Sequence, residues 1–167
     1  LSTIIVGKKQ PFPFLQNREI YAVAVLETRS DKAKIGIIPC ASRVFDRLVP
    51  VPGRSGYYML AEELILHFLP MVFDKYRVQE KSLIRITRNA DIDADSIYDE
   101  DLNYREHMEE VVRQRRKLSP VRLEMTRTLD TGIIDRLCRV LELSENQVFM
   151  SQSPLDLSFV FQIQDTL

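Results

Sequence analysis

The chain has 167 residues, of which 45% are hydrophobic and 28% are charged. This composition is typical of a folded domain and excludes a disordered or low-complexity chain. The 23 basic and 24 acidic residues nearly cancel, so no global electrostatic attraction to nucleic acid or to an anionic membrane is expected. The length fits one domain with a substantial core.

The cysteines and the apolar runs predict a reducing compartment. Cys40 and Cys138 lie far apart and share neither metal-ligand nor redox spacing, which argues against a disulfide framework. The longest apolar run, residues 22–26, is too short to span a bilayer, and no secretory signal opens the chain. Because the first residue is Leu1, we expect a cytoplasmic domain cut from a larger protein.

Six stretches of the chain are predicted to form β-strands. They are either apolar almost throughout, as in a buried strand, or alternate apolar and polar side chains, as in a half-buried strand. In chain order these strands span residues 20–27, 34–39, 47–52, 82–87, 121–126 and 147–150. A turn joins the first two as a hairpin. Pro11 and Pro13 give residues 1–14 an extended path, which we interpret as an ordered linker.

Periodic apolar residues predict four helices. The first carries Leu60, Leu64 and Phe68, and Pro70 is expected to limit its length. The second helix ends at Lys117. The third starts from a cap at Thr128 or Asp130, and its inward-facing residues are Ile134, Leu137, Cys138 and Leu141. The fourth runs from Pro154 through Phe161. Hairpins and crossovers are mixed, so the pattern predicts an α+β domain with a mixed β-sheet and flanking helices.

No set of side chains points to a catalytic centre or a metal site. The two histidines, His67 and His107, lie on predicted helices without Cys, Asp or Glu at zinc-ligand spacing. The alternating aspartates of residues 91–95 resemble half of a calcium loop, but other residues occupy its glycine and closing-glutamate positions. We therefore predict no catalytic residue and no metal ligand in this chain.

Two basic features can contact phosphate. Residues 113–117 form the densest basic run, although a helix C-terminus balanced against its dipole explains that run equally well. On the predicted strand, Arg85 and Thr87 share one face, and Arg88 follows at the strand end. A guanidinium group there can bind phosphate oxygens in a bidentate manner. A surface salt bridge to the neighbouring aspartates is an equal alternative.

Four segments, in the same order, resemble motifs of one enzyme family. They are PFPFL at residues 11–15 with Asn17 just after, IRITRNAD at 84–91, RQRR at 113–116 with PVRLE at 120–124, and QVF at 147–149 with SPLDL at 153–157. Together they resemble the middle (head) domain of the bacterial polyphosphate kinases of the long, histidine-phosphorylated type. The resemblance covers nearly the whole chain.

The resemblance implies a four-domain enzyme that reversibly transfers the terminal phosphate of ATP to polyphosphate, with ATP and Mg²⁺ as its cofactors. In that family a small helical domain precedes the middle domain, and two C-terminal domains carry the phosphorylated histidine and the magnesium ligands. Residues 1–14 are then the linker and residues 15–167 the middle domain. The isolated chain is expected to be inactive, and its fold to be similar to the phosphohistidine phosphatase-like fold.

The family also implies a role in dimer contacts and in the path that polyphosphate follows. The expected partners are the chain's own N-terminal and C-terminal domains, further copies in a dimer or tetramer, and polyphosphate; neither nucleic acid nor an integral membrane segment is expected. The location is cytoplasmic or peripheral to the inner membrane. Since a dense linear anion needs cationic side chains, Arg85, Arg88 and Arg122 on neighbouring predicted strands are the contact candidates.

Two other functions are consistent with the residues alone. One is a free-standing phosphatase-like enzyme, which would require a usable base or nucleophile. The other is a nucleic-acid-binding module built on the basic run around Arg115, which lacks the stacking aromatic residues expected for RNA. The balanced charge and the four matched segments favour the polyphosphate kinase domain over both.

Overall fold

The computed structural model describes residues 1–30, 33–40, 45–89 and 119–164. Its strands are β1 (Ile4–Val6), β2 (Ile20–Glu27), β3 (Lys34–Pro39), β4 (Leu48–Pro50), β5 (Tyr58–Leu60), β6 (Arg77–Arg88), β7 (Pro120–Met125) and β8 (Val148–Met150). Its α-helices are α1 (Ala61–Val72), α2 (Thr131–Leu141) and α3 (Phe159–Gln164). A short 3₁₀ helix, Glu145–Gln147, leads into β8.

Six strands form one sheet in the order β1-β3-β2-β6-β7-β8. The parallel pair is β7 with β8, and the other neighbours are antiparallel. Strands β4 and β5 form a separate two-stranded sheet. The α+β class with a mixed sheet and flanking helices is therefore confirmed. No helix within the described ranges is long and apolar enough to cross a membrane.

Helices cover both faces of the large sheet, which explains why β2 is apolar almost throughout. On one face, Tyr21 and Val23 of β2 pack in a cluster with Leu137 and Leu141 of α2. We call this the α2 face. On the other face, which we call the α1 face, Ala22 and Ala24 of β2 belong to a second cluster; its α1 members are Ile65, Leu66 and Leu69.

Helix α2 follows the sequence prediction closely. It begins after Asp130, whose side chain accepts a hydrogen bond from the backbone N–H of Gly132, as an N-cap does. Leu137, Cys138 and Leu141 are buried as expected. The helix ends at Glu142, whose φ of 56° places it in the left-handed region, where helices commonly terminate.

Helix α1 differs from the prediction in its length and in its buried side. It continues past Pro70 to Val72, and the N–H of Phe73 still bonds to the carbonyl of Leu69, because proline in the last turn removes only its own hydrogen bond. The buried residues are Ala61, Glu62, Ile65, Leu66 and Leu69. Phe68, one of the three residues that suggested the helix, is 44% exposed.

A C-terminal helix is present, but the prediction of its start was wrong. Residues 151–158 are not helical, and α3 begins at Phe159 rather than at Pro154. The physical reason is that arginine side chains engage the backbone carbonyls of Leu155 and Asp156, while the Leu155 side chain packs in the α1-face cluster. These carbonyls would otherwise accept bonds within the helix.

Residues 1–14 are extended on both sides of a turn at residues 7–10, where the N–H of Gln10 donates to the carbonyl oxygen of Gly7, and part of them joins the sheet. Strand β1 pairs antiparallel with β3, with Ile5 opposite Gly36, and Val6 is buried in the α2-face cluster. Several predicted features lie outside the described residues: the second helix with His107, the aspartates of residues 91–95 and the basic run of residues 113–117.

Candidate functional site

The three candidate arginines lie near one end of the sheet, on neighbouring strands but not on one face. Arg85 of β6 lies opposite Glu124 of β7, and Thr87 lies opposite Arg122. Because alternate residues share a face, Arg85 and Arg122 both lie on the α1 face, opposite Ile84 and Ile86. A register shift between Thr87 and Arg88 interrupts the ladder at the end of β6. Arg88 shares the α2 face with Ile84 and Ile86, and its side chain reaches Leu15 there.

Arg85 is half-buried and bonds to backbone. Its Nε donates to the carbonyl oxygen of Arg18 at 3.2 Å, and its Nη1 donates to the carbonyl oxygen of Leu155. The side chain therefore joins β6 to the loop before β2 and to the segment that follows β8. The predicted salt bridge to neighbouring aspartates concerns residues outside the described ranges.

Arg88 fastens the PFPFL segment to the end of β6. Its Nε and Nη2 donate to the carbonyl oxygen of Leu15 at 3.1 and 2.8 Å, and its guanidinium carbon lies 4.2 Å from the centre of the Phe14 ring. Burial lowers the pKa of Arg88, but a guanidinium group stays charged at neutral pH. A cavity of about 400 Å³ adjoins it, lined also by Phe12 and Leu141.

Arg122 is the most exposed of the three candidate arginines. Its side chain is 48% exposed, and its Nη2 lies 3.4 Å from Oε1 of Glu124. The guanidinium carbon lies 4.3 Å from the centre of the Phe149 ring on β8. Stacking and an exposed ion pair restrain the group weakly, so Arg122 can meet an anion without first breaking a buried contact.

A fourth arginine, Arg47, was missed by the sequence analysis. Although it is only 5% exposed, it pairs with the buried carboxylate of Glu62 in the first turn of α1. It also donates to the carbonyl oxygen of Asp156 at 2.7 Å and to Oγ of Ser158 at 3.3 Å. Its guanidinium carbon lies 5.4 Å from the centre of the Phe159 ring.

Arg47, Glu62, Arg85 and Asp156 form a network that we call the arginine clamp. Burial by itself would raise the pKa of Asp156. The backbone N–H and hydroxyl of Ser158 and the charges of Arg47 and Arg85 outweigh burial, so that pKa lies below its usual value. The clamp fixes the backbone of residues 155–158 on the α1 face. In the sequence, Arg47 directly precedes the apolar Leu48 and Val49, but its partners lie up to 111 residues away, so no local pattern reveals its burial.

The described residues do not fit a resident metal ion. Within the described ranges no three His, Cys, Asp or Glu side chains lie close enough together to hold one. His67 is exposed on α1, with its ring edge-on to Phe68 at 4.9 Å. Both cysteines are buried and unbridged. Burial, opposed by a backbone hydrogen bond at Ala22 and assisted by the charge of Glu62, raises the pKa of Cys40 to about 12.

Comparisons with known proteins agree on one family. The profile of the polyphosphate kinase middle domain matches residues 1–163. A polyphosphate kinase of Halalkalibacterium halodurans is 34% identical, with 100% of this chain and 24% of that protein aligned. A polyphosphate kinase of Staphylococcus epidermidis is 30% identical, with 100% of this chain and 22% of that protein aligned. The chain thus spans less than a quarter of these relatives' length.

A solved structure shares the fold. The crystal structure of a polyphosphate kinase from Porphyromonas gingivalis superposes with a TM-score of 0.61 at 15% identity. The superposition covers 92% of this chain and 22% of that one. At this identity the match shows a shared arrangement of strands and helices and says nothing about the roles of individual residues.

Proposed function

Because the chain belongs to the polyphosphate kinase middle-domain family, we propose that it is the assembly and polyphosphate-channel domain of a polyphosphate kinase. The observation that carries this proposal is the family match over residues 1–163. The complete enzyme reversibly transfers the terminal phosphate of ATP to polyphosphate. ATP and Mg²⁺ supply the phosphoryl group and the charge neutralisation for that transfer, in domains other than this one.

Within this proposal, Arg85, Arg88 and Arg122 contact polyphosphate. The support is that all three lie near the same end of the sheet, where β6 ends and β7 begins. A guanidinium group carries five N–H donors in a planar arrangement that suits phosphate oxygens. We rank Arg122 first because its side chain is 48% exposed. Arg85 and Arg88 already use some of their N–H groups in hydrogen bonds to backbone carbonyl oxygens.

The partners in this proposal are the other domains of the same polypeptide and further copies of it, as a dimer or tetramer. Residues 1–14 then act as the entry segment, with Ile4–Val6 paired to the sheet, and residues 15–167 as the domain proper. We place the enzyme in the cytoplasm or at the inner face of the membrane. A free-standing phosphate- or nucleic-acid-binding domain is not favoured, since the matched relatives are polyphosphate kinases.

The direct test is ATP-dependent polyphosphate synthesis by the full-length gene product, with this chain assayed beside it. We expect synthesis by the whole protein with Mg²⁺ present and none by the chain. A well-folded whole protein that makes no polyphosphate from ATP would overturn the proposed function and leave only the shared fold.

Removing the charge of Arg122 tests the proposed contact. In the full-length enzyme, Arg122→Gln should weaken polyphosphate affinity and reduce the dependence of that affinity on salt. The reason is that a protein with one phosphate contact fewer releases fewer counterions when the polymer binds. The matched control is Arg77→Gln at the opposite end of β6, where the side chain is 83% exposed beside Glu27. Affinity is measured as KM for the polymer at several salt concentrations.

The double variant Arg85→Ala with Arg88→Ala should weaken polymer use further and also lower the melting temperature, since both side chains fasten backbone carbonyls. Wild-type KM at every salt concentration in both Arg122→Gln and the double variant would exclude the proposed contacts. A loss of equal size in Arg77→Gln would show that the effect is one of net charge only.

A further inference from the structure

Helix α3 is largely apolar and has no buried residue. Its sequence is FVFQIQ, and Val160, Phe161 and Ile163 are 52%, 72% and 36% exposed. Leu157, just before the helix, is 57% exposed. Clustered exposed apolar residues mark an interaction surface. Within the part of the chain that the structure describes, this surface is left uncovered.

The start of α3 is nevertheless held in place. Arg47 joins Glu62 of α1 to Asp156 and Ser158 and lies over the Phe159 ring. The helix therefore begins beside the first turn of α1 and is anchored there by a buried side chain. An anchored apolar helix meets a partner with little loss of backbone entropy, which is a property of a preformed docking element.

The outer side of α1 also carries exposed apolar residues. Its inner side packs on the sheet, yet Phe68 and Met71 are 44% and 71% exposed, one turn apart. Both helices lie on the same side of the sheet, since the segment before α3 packs its Leu155 in the cluster that contains α1. We define the apolar docking surface as Leu157, Val160, Phe161 and Ile163.

We propose that this apolar docking surface receives the part of the same polypeptide that follows the middle domain. The inference rests on the proposed function, in which the chain is one domain of a longer enzyme. The family profile ends at residue 163, inside α3, and the relatives are about four times as long as the matched region. A following domain is tethered directly to α3, so its effective concentration at this surface is high.

A photo-cross-linking experiment identifies what covers the surface. In the full-length protein, Phe161 is replaced by benzoylphenylalanine, a conservative change at an exposed phenylalanine. Irradiation is followed by mapping of the cross-linked peptides by mass spectrometry. Mixed light and heavy isotope-labelled protein separates links within one chain from links between chains. The control position is Val140 on α2, which is 42% exposed and lies on the helix that covers the other face of the sheet.

We expect most of the product from position 161 to be linked, within one chain, to residues beyond 167, and position 140 to give no such product. Adding Val160→Asp, which places a charge in the apolar surface, should abolish the link. Links from position 161 to a second copy, to residues 90–118, or to nothing would each overturn the proposal. The same preparation is assayed for polyphosphate synthesis, so a protein that cross-links as expected but makes no polymer refutes the function and not the docking surface.

Discussion

The two faces of the large sheet are stabilised by different means. The α2 face is packed with β-branched and aromatic side chains: Tyr21, Val23, Val25, Ile35, Ile37, Ile84 and Ile86. The α1 face carries small residues at its centre, because Ala22, Ala24 and Gly36 lie there. The small residues admit the Phe73 ring close to the sheet, and the same side also contains the buried arginine clamp.

This difference shows that apolar packing is the main source of stability on the α2 face, whereas stability on the α1 face also depends on a buried ion pair. On the α2 face, stability comes from apolar area, which tolerates conservative exchanges of similar volume. On the α1 face, a buried guanidinium group and carboxylate must remain paired, because an isolated buried charge is very costly. The arginine clamp on the α1 face also fixes residues 155–158, the segment that leads into α3.

The largest expected effect comes from breaking the clamp. Arg47→Ala leaves Glu62 buried without its partner, and the side chains of the pair are only 6% and 3% exposed. We expect the free energy of unfolding to fall by about 3–5 kcal/mol, measured by urea denaturation. The comparison variant is Arg136→Ala on α2, whose guanidinium group donates to the carbonyl oxygens of Ala33 and Val6.

The loss in Arg136→Ala should be clearly smaller, because carbonyls exposed by the change can recruit water. Replacing both partners, Arg47→Leu with Glu62→Leu, should recover most of the stability lost in Arg47→Ala. Equal losses in Arg47→Ala and Arg136→Ala would remove the distinction between the two faces.

A smaller effect is expected from enlarging Gly36. A Cβ atom at this position would come within 2.6 Å of the Phe73 ring, so the ring or the strand must shift. Gly36→Ala should destabilise the domain by about 1–3 kcal/mol, the usual cost of overpacking a core. Thermal unfolding measures it, and combining the change with Phe73→Leu should restore part of the loss. A neutral single variant would show that α1 packs more loosely than the contact implies.

The smallest effect concerns Asp156 and depends on pH. Its pKa is lowered in the folded state, so its charge contributes stability above the unfolded pKa of about 3.9, and that contribution is lost as the pH falls through the lowered folded value. Asp156→Asn should therefore cost about 1 kcal/mol near neutral pH and nothing in strong acid. Urea denaturation at both ends of that range checks this, and a cost that persists in strong acid contradicts it.

The sequence predicted the parts of the fold that depend on local pattern. The bounds of β2 and β3 agree with the apolar runs, and the Asp130 cap of α2 follows from local chemistry. Strand β6 begins at Arg77, five residues before the predicted start, because its polar first half is stabilised by pairing with β2. The late start of α3 depends on Arg47, 109 residues from Asp156 in sequence, and no local pattern encodes such a contact.

The candidate site was predictable to the same degree. Alternation along β6 placed Arg85 opposite Ile84 and Ile86, and the neighbouring strand for Arg122 was expected. The same alternation places Arg88 on the face of Ile84 and Ile86, whereas the register shift after Thr87 depends on pairing with β7 and has no local signal. The motif residues indicated the family from the sequence. Their contacts, such as the hydrogen bond from Arg88 to the carbonyl oxygen of Leu15, could be seen only in the folded chain.

Among the described residues, the outer strands of the large sheet are β1 and β8, which have only three residues each. Each outer edge therefore offers few unpaired backbone groups to a neighbouring molecule, which limits the uncontrolled strand-to-strand association that long flat edges promote. Copies of this domain can therefore come close together without their sheets joining edge to edge. Specific association is left to the side chains on the two faces and on the protruding helices, where it can be selective.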